Sequence, residues 1–461
     1  MIHRATGSAL AAVGLWLLAS TFAAAQGEHR GGADGSYAPV VERIAPAVVS
    51  VYATLAGEPV TFGQASELKH ATTQPEGNIS FGSAVILDKD GLLMTTSHTI
   101  EGASEIKVAL ADSREYPAEL VLLDRRSDLA VLRINARGPL PTIPFADSDR
   151  VRAGDIVIAV GNPYAVGQTI THGVVSAVGR TQLRMADFQY YIQTDAAMNP
   201  GNSGGALVGT DGRLVGIMTA IFSRSGGSQG IGFAVPSNMV SFVLDAAREG
   251  KTLIRRPWLG ATLSSIDGAT AARLGLEYRT GALIKSLRAG APAEAAGLKV
   301  DDIVVAIDDH AISDPNALDY RLGMLPVSGK ATLGILRGGE RRTIDVALGA
   351  APESRPRLAT KIRAASPLQG ATVCNLSPAV AEELGLEAGS DGVAVCDVDA
   401  GSTAQRMGFQ RGDILLRVNN AKVVNAPDLA RMLQKDKLRQ VEVDRGGERL
   451  ALKTNARGQA R

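Results

Sequence analysis

The sequence predicts a mainly β protein in which a long β-rich domain is followed by two related α+β modules. Between residues 37 and 243, short β-branched runs such as "AVVSVYA", "LAVLRI" and "DIVIAVGNP" are separated by Gly, Asn, Asp and Pro. This spacing favours an all-β sandwich or a pair of barrels and lacks the alternation typical of a parallel sheet. Beyond Trp258 the chain repeats itself, and 461 residues are enough for several domains.

The first 25 residues have the pattern of a secretory signal peptide. A basic start at Arg4 precedes an apolar stretch of about a dozen residues, and small residues follow up to Ala25. We expect residues 1–25 to direct export and to be removed, which leaves a soluble mature chain. An uncleaved N-terminal anchor is the alternative, because the run from Leu18 to Ala25 stays fairly apolar.

The β-rich domain is expected to end in a helix within "PSNMVSFVLDAAREGK", and a tandem duplication follows it. The motif "LGLE", the segments "AGLKVDDIVVAID" and "MGFQRGDILLRVN", and the motif "GGER" pair at offsets of 110, 111 and 108 residues. This period is too long for a solenoid repeat and indicates two copies of one module. The predicted units are a β-rich domain over 38–248, modules over 256–350 and 367–456, and a linker over 351–366.

Composition excludes several classes of function. The net charge of +1, with both signs mixed along the chain, gives no footprint for nucleic acid or for a polybasic membrane contact. The two cysteines, Cys374 and Cys396, are too few for a disulfide-dense scaffold. They either form a disulfide in an exported protein or act as two small buried hydrophobic side chains.

Ser203 lies within "NPGNSGGAL", residues 199–207, where glycines surround it. Glycine permits tight turns and close approach of the backbone, so the run predicts an exposed loop that presents its own N–H groups. Such donors stabilise the oxyanion that forms when a serine attacks a carbonyl group. An ordinary glycine-rich turn is the alternative for the motif on its own.

A serine nucleophile needs a base and a group that orients the base. Of six histidines, only His98 and His172 fall in the ordered β-rich segment. His98 ends the strand-like run "GLLMTTSHTI", whereas His172 alternates with apolar residues and is expected to face solvent on a strand. Asp128 directly precedes the apolar run "LAVLRI", where it can be partly buried against an imidazole. His98, Asp128 and Ser203 each have ordinary explanations, but their occurrence together in one β-rich domain favours catalysis.

Five segments resemble the HtrA/Deg family of exported serine proteases in order and spacing: "TTSHTI", "DRRSDLAVLRI", "GNPYAVGQTITHGVVSAVGR", "QTDAAMNPGNSGGALV" and "GIGFAVPSNMV". The likeness covers most of residues 38–245. It implies a chymotrypsin/trypsin-like protease domain of two six-stranded β-barrels, with the active site between them, followed by two PDZ domains. It also implies that Ser203 is the nucleophile, that His98 is the general base and then acid, and that Asp128 orients His98. The N–H groups of Gly201 and Ser203 would form the oxyanion hole.

The chain departs from the family pattern near the cleft. Ala84 stands where the family usually has Gly, and Thr96 and Ser97 precede His98 where the family has Asn. Met218 replaces an Asn on the strand beside the S1 pocket. These departures leave cleavage preference open and support an alternative function, a proteolytically inactive or latent periplasmic chaperone-like protein that binds peptides.

The two modules resemble PDZ domains, which bind an extended C-terminal peptide beside a sheet edge and hold its carboxylate on backbone N–H groups. The resemblance assigns peptide binding to two loops: Trp258, Leu259, Gly260 and Ala261 in the first copy, and Leu368, Gln369, Gly370 and Ala371 in the second. The alternative is that both loops are only turns that enter a strand.

The resemblance implies an ATP-independent serine endopeptidase of the periplasm that degrades unfolded or misfolded envelope proteins. It further implies a trimer-based homo-oligomer whose PDZ modules recognise peptide ends and regulate proteolysis. Asp301, Asp302 and Asp413 lie at turns without His or Glu at ligand spacing, so we expect no metal. No cofactor is expected. A scaffold that only tethers partners would leave the His98, Asp128 and Ser203 pattern unexplained.

Overall fold

The computed structural model describes residues 35–453 apart from 56–78, 164–166, 182, 184–185, 187, 224–225, 277, 387–391 and 436–439. The predicted signal peptide, residues 1–25, lies outside the described residues, as do the last three residues of the predicted second module.

The first barrel follows helix α1 (Ala38–Ile44) and closes in the strand order β1-β2-β3-β6-β5-β4. All of its pairings are antiparallel. Its strands are β1 (Val48–Leu55), β2 (Ile79–Ile86), β3 (Leu92–Thr95), β4 (Ala103–Ala109), β5 (Glu115–Asp124) and β6 (Leu129–Ile134), and helix α2 (Ser97–Ile100) follows β3.

The second barrel closes in the order β10-β11-β12-β9-β8-β7. Its strands are β7 (Ile156–Gly161), β8 (Thr169–Arg180), β9 (Tyr191–Thr194), β10 (Ala206–Gly209), β11 (Leu214–Ile221) and β12 (Gly232–Pro236). The expected trypsin-like double barrel is therefore confirmed, and the sandwich alternative is wrong. The fully buried strands β10 and β12 read as continuous apolar runs because both of their faces lie inside the domain.

Helix α3 (Ser237–Arg248) lies where the sequence predicts a helix and joins the two barrels. It begins directly after Pro236, and its buried side chains recur at helical spacing at Met239, Val240, Val243 and Leu244. The helix packs against β5 and β6 of the first barrel and β11 and β12 of the second. This packing fixes the relative position of the two halves that form the cleft.

The first PDZ-like module contains a sheet in the order β14-β15-β16-β18-β19. Its elements are β13 (Pro257–Trp258), β14 (Ala261–Ser264), α4 (Gly268–Leu274), β15 (Ala282–Leu287), α5 (Pro292–Ala295), β16 (Ile303–Ile307), β17 (His310–Ala311), α6 (Pro315–Gly323), β18 (Lys330–Arg337), β19 (Glu340–Ala347) and β20 (Gly349–Ala350).

The second module repeats this plan with one additional strand at the edge, in the order β21-β22-β23-β24-β26-β27. Its elements are β21 (Thr360–Lys361), β22 (Ala371–Asn375), α7 (Pro378–Glu383), β23 (Val393–Val398), α8 (Thr403–Arg406), β24 (Ile414–Val418), β25 (Ala421–Lys422), α9 (Ala426–Lys435), β26 (Gln440–Arg445) and β27 (Glu448–Lys453).

The duplicated aspartates that precede β16 and β24 have the same structural role in both modules. Asp302 is buried and binds Arg337 at 2.6 Å, and Asp413 is buried and binds Arg445 at 2.6 Å. Each carboxylate also accepts a backbone N–H three residues earlier, from Lys299 or from Gln410. These carboxylates therefore stabilise the turns before the two strands.

Cys374 and Cys396 form a disulfide between the neighbouring strands β22 and β23. The sequence left this pairing open because a separation along the chain does not reveal which strands are adjacent. The predicted linker, residues 351–366, also differs from expectation. Thr360 and Lys361 form β21, which pairs antiparallel with β22, and Ile362 is buried in the core of the second module.

Candidate active site

His98 lies on a short helix and not at the end of a strand, so the predicted position at a strand edge is wrong. Strand β3 ends at Thr95, and His98 is the second residue of α2. The chain turns there because Thr96 is extended and the N–H of Ser97 binds the carbonyl of Asp128 at 3.2 Å. This turn directs the imidazole towards Asp128, with Nδ1 2.8 Å from Oδ2.

Asp128 is placed by a left-handed backbone conformation directly before β6. It follows a short 3₁₀ turn over Arg125–Ser127 and has φ +56°, a conformation that Asp adopts more readily than most residues. Its Oδ1 accepts the Ser97 hydroxyl at 2.8 Å and the His98 N–H at 3.1 Å. Its Oδ2 also accepts the Thr219 hydroxyl at 2.5 Å. The carboxylate is buried and has donors on both oxygens.

The two charged groups shift each other's pKa. Burial alone would raise the pKa of Asp128, but the charge of His98 and the hydrogen bonds from His98, Thr219 and Ser97 outweigh it and lower the pKa to about 2. Burial alone would lower the pKa of His98, but the charge of Asp128 and its hydrogen bond raise it above 6.5. Asp128 is therefore ionised at every physiological pH and stabilises the imidazolium.

Ser203 lies in the loop that precedes β10, held against β2 of the first barrel. The N–H of Ser83 donates to the carbonyl of Ser203 at 2.8 Å, and the Ser83 hydroxyl donates to the carbonyl of Gly201 at 2.7 Å. Gly201 has φ +98° and Gly204 has φ +86°. A Cβ on Gly204 would lie 1.9 Å from the carbonyl oxygen of Ser83, so only glycine fits there.

The backbone of this loop presents two donors. Among the described residues, no acceptor contacts the N–H groups of Gly201 and Ser203, whereas the N–H of Gly204 binds the carbonyl of Met218 at 2.7 Å. Two N–H groups fixed in this way are suited to hold an oxygen that gains negative charge. The predicted pair, Gly201 and Ser203, thus lies together in one turn.

Thr219 connects the serine to the His98–Asp128 pair, and sequence reasoning missed it. Its carbonyl accepts the Ser203 hydroxyl at 3.0 Å, while its own hydroxyl donates to Asp128. Thr219 is buried on β11, within the apolar run "LVGIMTAI". A polar side chain inside such a run was the available signal, because a buried hydroxyl requires a hydrogen-bond partner.

The departures from the family pattern fit this framework. Ala84 is fully buried in the core of the first barrel and keeps a regular register, opposite Val49. Met218 is fully buried in the second barrel. Ser97 supplies a hydroxyl to Asp128, and Thr96 bonds the hydroxyl of Thr99 at 2.7 Å. His172 is exposed on β8, in agreement with the sequence prediction.

The two predicted peptide loops have equivalent positions in the duplicated modules. Gly260 has φ +70° and Gly370 has φ +90°. A Cβ on Gly260 would lie 2.2 Å from the Cβ of Ala291, and one on Gly370 would lie 2.3 Å from the Cβ of Ser402. The carbonyls just before these glycines accept the N–H groups of Ala293 and Ala404, both at 3.0 Å. Glycine is required at both positions.

Serine endopeptidases of the trypsin-like class, extended by PDZ domains, are the proteins that this fold and site define. The family profile for the trypsin-like peptidase domain matches residues 82–217, and PDZ domain profiles match residues 257–348 and 395–445. In the parts of the chain that the structure describes, no helix combines the length and apolar character needed to cross a bilayer.

Named relatives agree with this class. The probable periplasmic serine endoprotease DegP-like of Chlamydia pneumoniae is 39% identical over 356 residues, which cover 77% of this chain and 71% of the relative. The periplasmic serine endoprotease DegP of Escherichia coli K12 is 34% identical over 381 residues, covering 82% and 77%. The solved HtrA-type protease AlgW with tripeptide is 39% identical, with a TM-score of 0.55, and covers 69% of this chain and 98% of that structure. The chain belongs to the HtrA/DegP family of serine endoproteases.

Proposed function

We propose that the protein is an exported, ATP-independent endopeptidase that cleaves unfolded or misfolded envelope proteins with Ser203, His98 and Asp128. The observation that carries the proposal is the continuous set of hydrogen bonds from His98 Nδ1 through Asp128 and Thr219 to the Ser203 hydroxyl. The signal-peptide pattern and relatives named as periplasmic support action in the periplasm.

In the proposed reaction, Ser203 Oγ attacks the scissile carbonyl carbon while His98 Nε2 accepts its proton. The carbonyl oxygen becomes an oxyanion that the N–H groups of Gly201 and Ser203 stabilise. Collapse breaks the C–N bond, and His98 returns the proton to the leaving amine. Water then attacks the acyl-enzyme, again with His98 as base, and releases the carboxylate product and Ser203. Asp128 stays ionised throughout and stabilises the imidazolium.

The first PDZ module is proposed to bind peptide C-termini at Trp258, Leu259, Gly260 and Ala261. Strand β14 pairs with β15 on one side, and no described strand covers its other edge. Among the described residues, no acceptor contacts the N–H groups of Leu259 and Gly260. An open edge next to free N–H groups suits an extended peptide with a terminal carboxylate. The solved AlgW relative carries a tripeptide in its title, which agrees with peptide recognition.

The proposal further includes a trimer-based homo-oligomer in which peptide binding regulates proteolysis. Sedimentation of the mature chain tests the assembly, and a monomer at micromolar concentration would contradict it. Stimulation of cleavage by peptides with free C-termini, and not by their amidated forms, tests regulation through the carboxylate.

The test of the proposed activity is digestion of an unfolded protein. Mature wild-type chain, residues 26–461, and its Ser203→Ala variant are incubated with reduced casein and with a stably folded protein of similar size. The proposal predicts casein fragments with the wild type only, and little cleavage of the folded protein. No casein cleavage by the wild type, even with added peptides, would favour the chaperone-like alternative.

A further inference from the structure

We propose that the second PDZ module is closed by an internal ligand: the segment Arg357–Ile362 of the preceding linker occupies its peptide groove. The inference rests on the proposed function in one respect, namely that these modules bind extended peptides. It adds that one of the two grooves is occupied by the chain itself, so that the grooves differ in their access to other peptides.

The backbone of the segment is added to the sheet as a peptide ligand would be. Strand β21 runs antiparallel to β22, with Thr360 opposite Val373 and Lys361 opposite Thr372. The pairing continues on both sides of β21, because the Ile362 N–H donates to the carbonyl of Ala371 at 2.9 Å and the carbonyl of Arg357 accepts the Asn375 N–H at 2.7 Å. Helix α9 packs against both β21 and β22, so the segment lies between strand and helix.

Ile362 occupies the position of a C-terminal ligand residue. Its carbonyl oxygen accepts the N–H of Gly370 at 3.0 Å, in the loop where a peptide carboxylate is expected. Its side chain is only 2% exposed and belongs to the same buried cluster as Leu368, Val373, Leu429 and Leu433. An aliphatic side chain buried beside the carboxylate loop is what a PDZ groove takes from the last residue of its ligand.

The other loop N–H groups are also engaged within the chain. The N–H of Gln369 donates to the carbonyl of Ser366, and the N–H of Ala371 donates to the carbonyl of Leu368, both at 2.9 Å. Leu368, Gln369, Gly370 and Ala371 therefore hold the chain's own linker in this state. The first module differs because its β14 edge and the N–H groups of Leu259 and Gly260 have no such described partners.

Polar contacts anchor the segment at several points. Lys361 Nζ lies 2.6 Å from Asp399, and the Arg357 guanidinium donates to Glu383 at 2.7 Å. The side-chain amide of Asn375 donates to the carbonyl of Pro356 at 2.9 Å. A tethered ligand has an effective concentration on the order of millimolar, so a free peptide at about 10 μM should be excluded roughly a hundredfold.

The experiment uses the full mature chain in a Ser203→Ala background, so that the probe is not cleaved. The probe is the synthetic peptide RLATKI with a free carboxylate and an N-terminal photoreactive benzophenone, and mass spectrometry maps the crosslinks. Ile362→Asp places a charge in the apolar groove and should release the segment. The matched control is Leu358→Asp, the same change at a linker side chain that is 49% exposed.

We expect crosslinks to the second module to increase at least about tenfold in Ile362→Asp, while the parent and Leu358→Asp chains stay low. Ile362→Ala, with hydrogen exchange of β22 and β23 as the check on folding, should give an intermediate yield. Strong labelling of the second module in the parent chain would overturn the inference, as would no gain in both Ile362 variants with a folded module. Absence of labelling on residues 258–264 would instead count against peptide binding by the first module.

Discussion

The pairing of His98 with Asp128 controls which form of the imidazole is present at a given pH. A general base must be neutral, and the Asp128 carboxylate raises the pKa of His98 above 6.5. Activity should therefore be lost as the pH falls through the raised pKa, since below it His98 is protonated. We predict that the acid limb of kcat/KM for a peptide substrate has its midpoint above pH 6.5.

The Asp128→Asn variant provides the control for this pH profile. Without the carboxylate, burial disfavours the imidazolium, so the acid limb should move to lower pH. Activity should also fall by about 10⁴-fold, because the imidazole loses its orientation and its counter-charge. A wild-type midpoint at or below 6.5, or an unchanged limb in Asp128→Asn, would contradict the assigned roles.

Thr219 provides a second test at the scale of one side chain. Its hydroxyl donates to the buried Asp128 carboxylate, and a hydrogen bond to a charged group contributes about 1.5–3 kcal/mol. Thr219→Val should therefore reduce kcat/KM by roughly ten- to a hundredfold, and Thr219→Ser should retain most activity. The comparison is made by steady-state kinetics on one peptide. Equal activity of Thr219→Val and wild type would show that this bond is dispensable.

Among the elements, the loop before β10 depends most on glycine. Gly204→Ala would combine a positive φ with a Cβ 1.9 Å from the carbonyl of Ser83. Gly102→Ala is the matched control, since Gly102 has φ +76° and no atom within 4 Å of an added Cβ. We predict that Gly204→Ala lowers the free energy of unfolding by at least about 2 kcal/mol more than Gly102→Ala in urea denaturation. Similar losses would mean that the loop relaxes around the methyl group.

The sequence was most informative about elements with regular patterns. The β-branched runs, helix α3 and the duplicated helix–Gly–strand units all follow from local periodicity and turn residues. Strand β21 could not be predicted, because its two residues gain a partner only when β22 is adjacent. The turn at Thr96, which places His98 on a helix, likewise depends on the distant carbonyl of Asp128. Contacts between segments far apart in sequence leave no local signal.

For the candidate site, the resemblance supplied the roles and the structure supplied the connections. Sequence reasoning singled out His98, Asp128 and Ser203, which the fold brings together. It did not indicate Thr219, because nothing in the spacing of β11 relates it to Asp128. The closed groove of the second module was also hidden, since the linker composition near Ile362 resembles that of any exposed connection.

At the scale of the whole molecule, a buried ion pair joins the protease domain to the first PDZ module. Arg256 is 3% exposed and donates to both oxygens of Asp124, at 3.0 and 2.5 Å. Its guanidinium also stacks 4.4 Å from the ring centroid of Phe188, which Arg126 covers at 4.2 Å. The same turn that carries Asp128 thus contributes to the junction.

Arg256→Leu should destabilise this junction, because it leaves the Asp124 carboxylate buried without its partner. We predict a loss of about 3–5 kcal/mol in the free energy of unfolding, measured by urea denaturation. The double variant Arg256→Leu with Asp124→Leu should recover most of the loss. If the double variant is as unstable as the sum of both single variants, the two side chains are not coupled.

The central claim is that Ser203 is a nucleophile activated by His98 and Asp128. The most direct measurement is the intact mass of the mature chain after reaction with a fluorophosphonate, in which Ser203 Oγ displaces fluoride from phosphorus. The account predicts one adduct per chain, located on Ser203, that is absent in Ser203→Ala and strongly slowed in His98→Ala. Labelling at another residue, or equal labelling of the wild-type and His98→Ala chains, would contradict it.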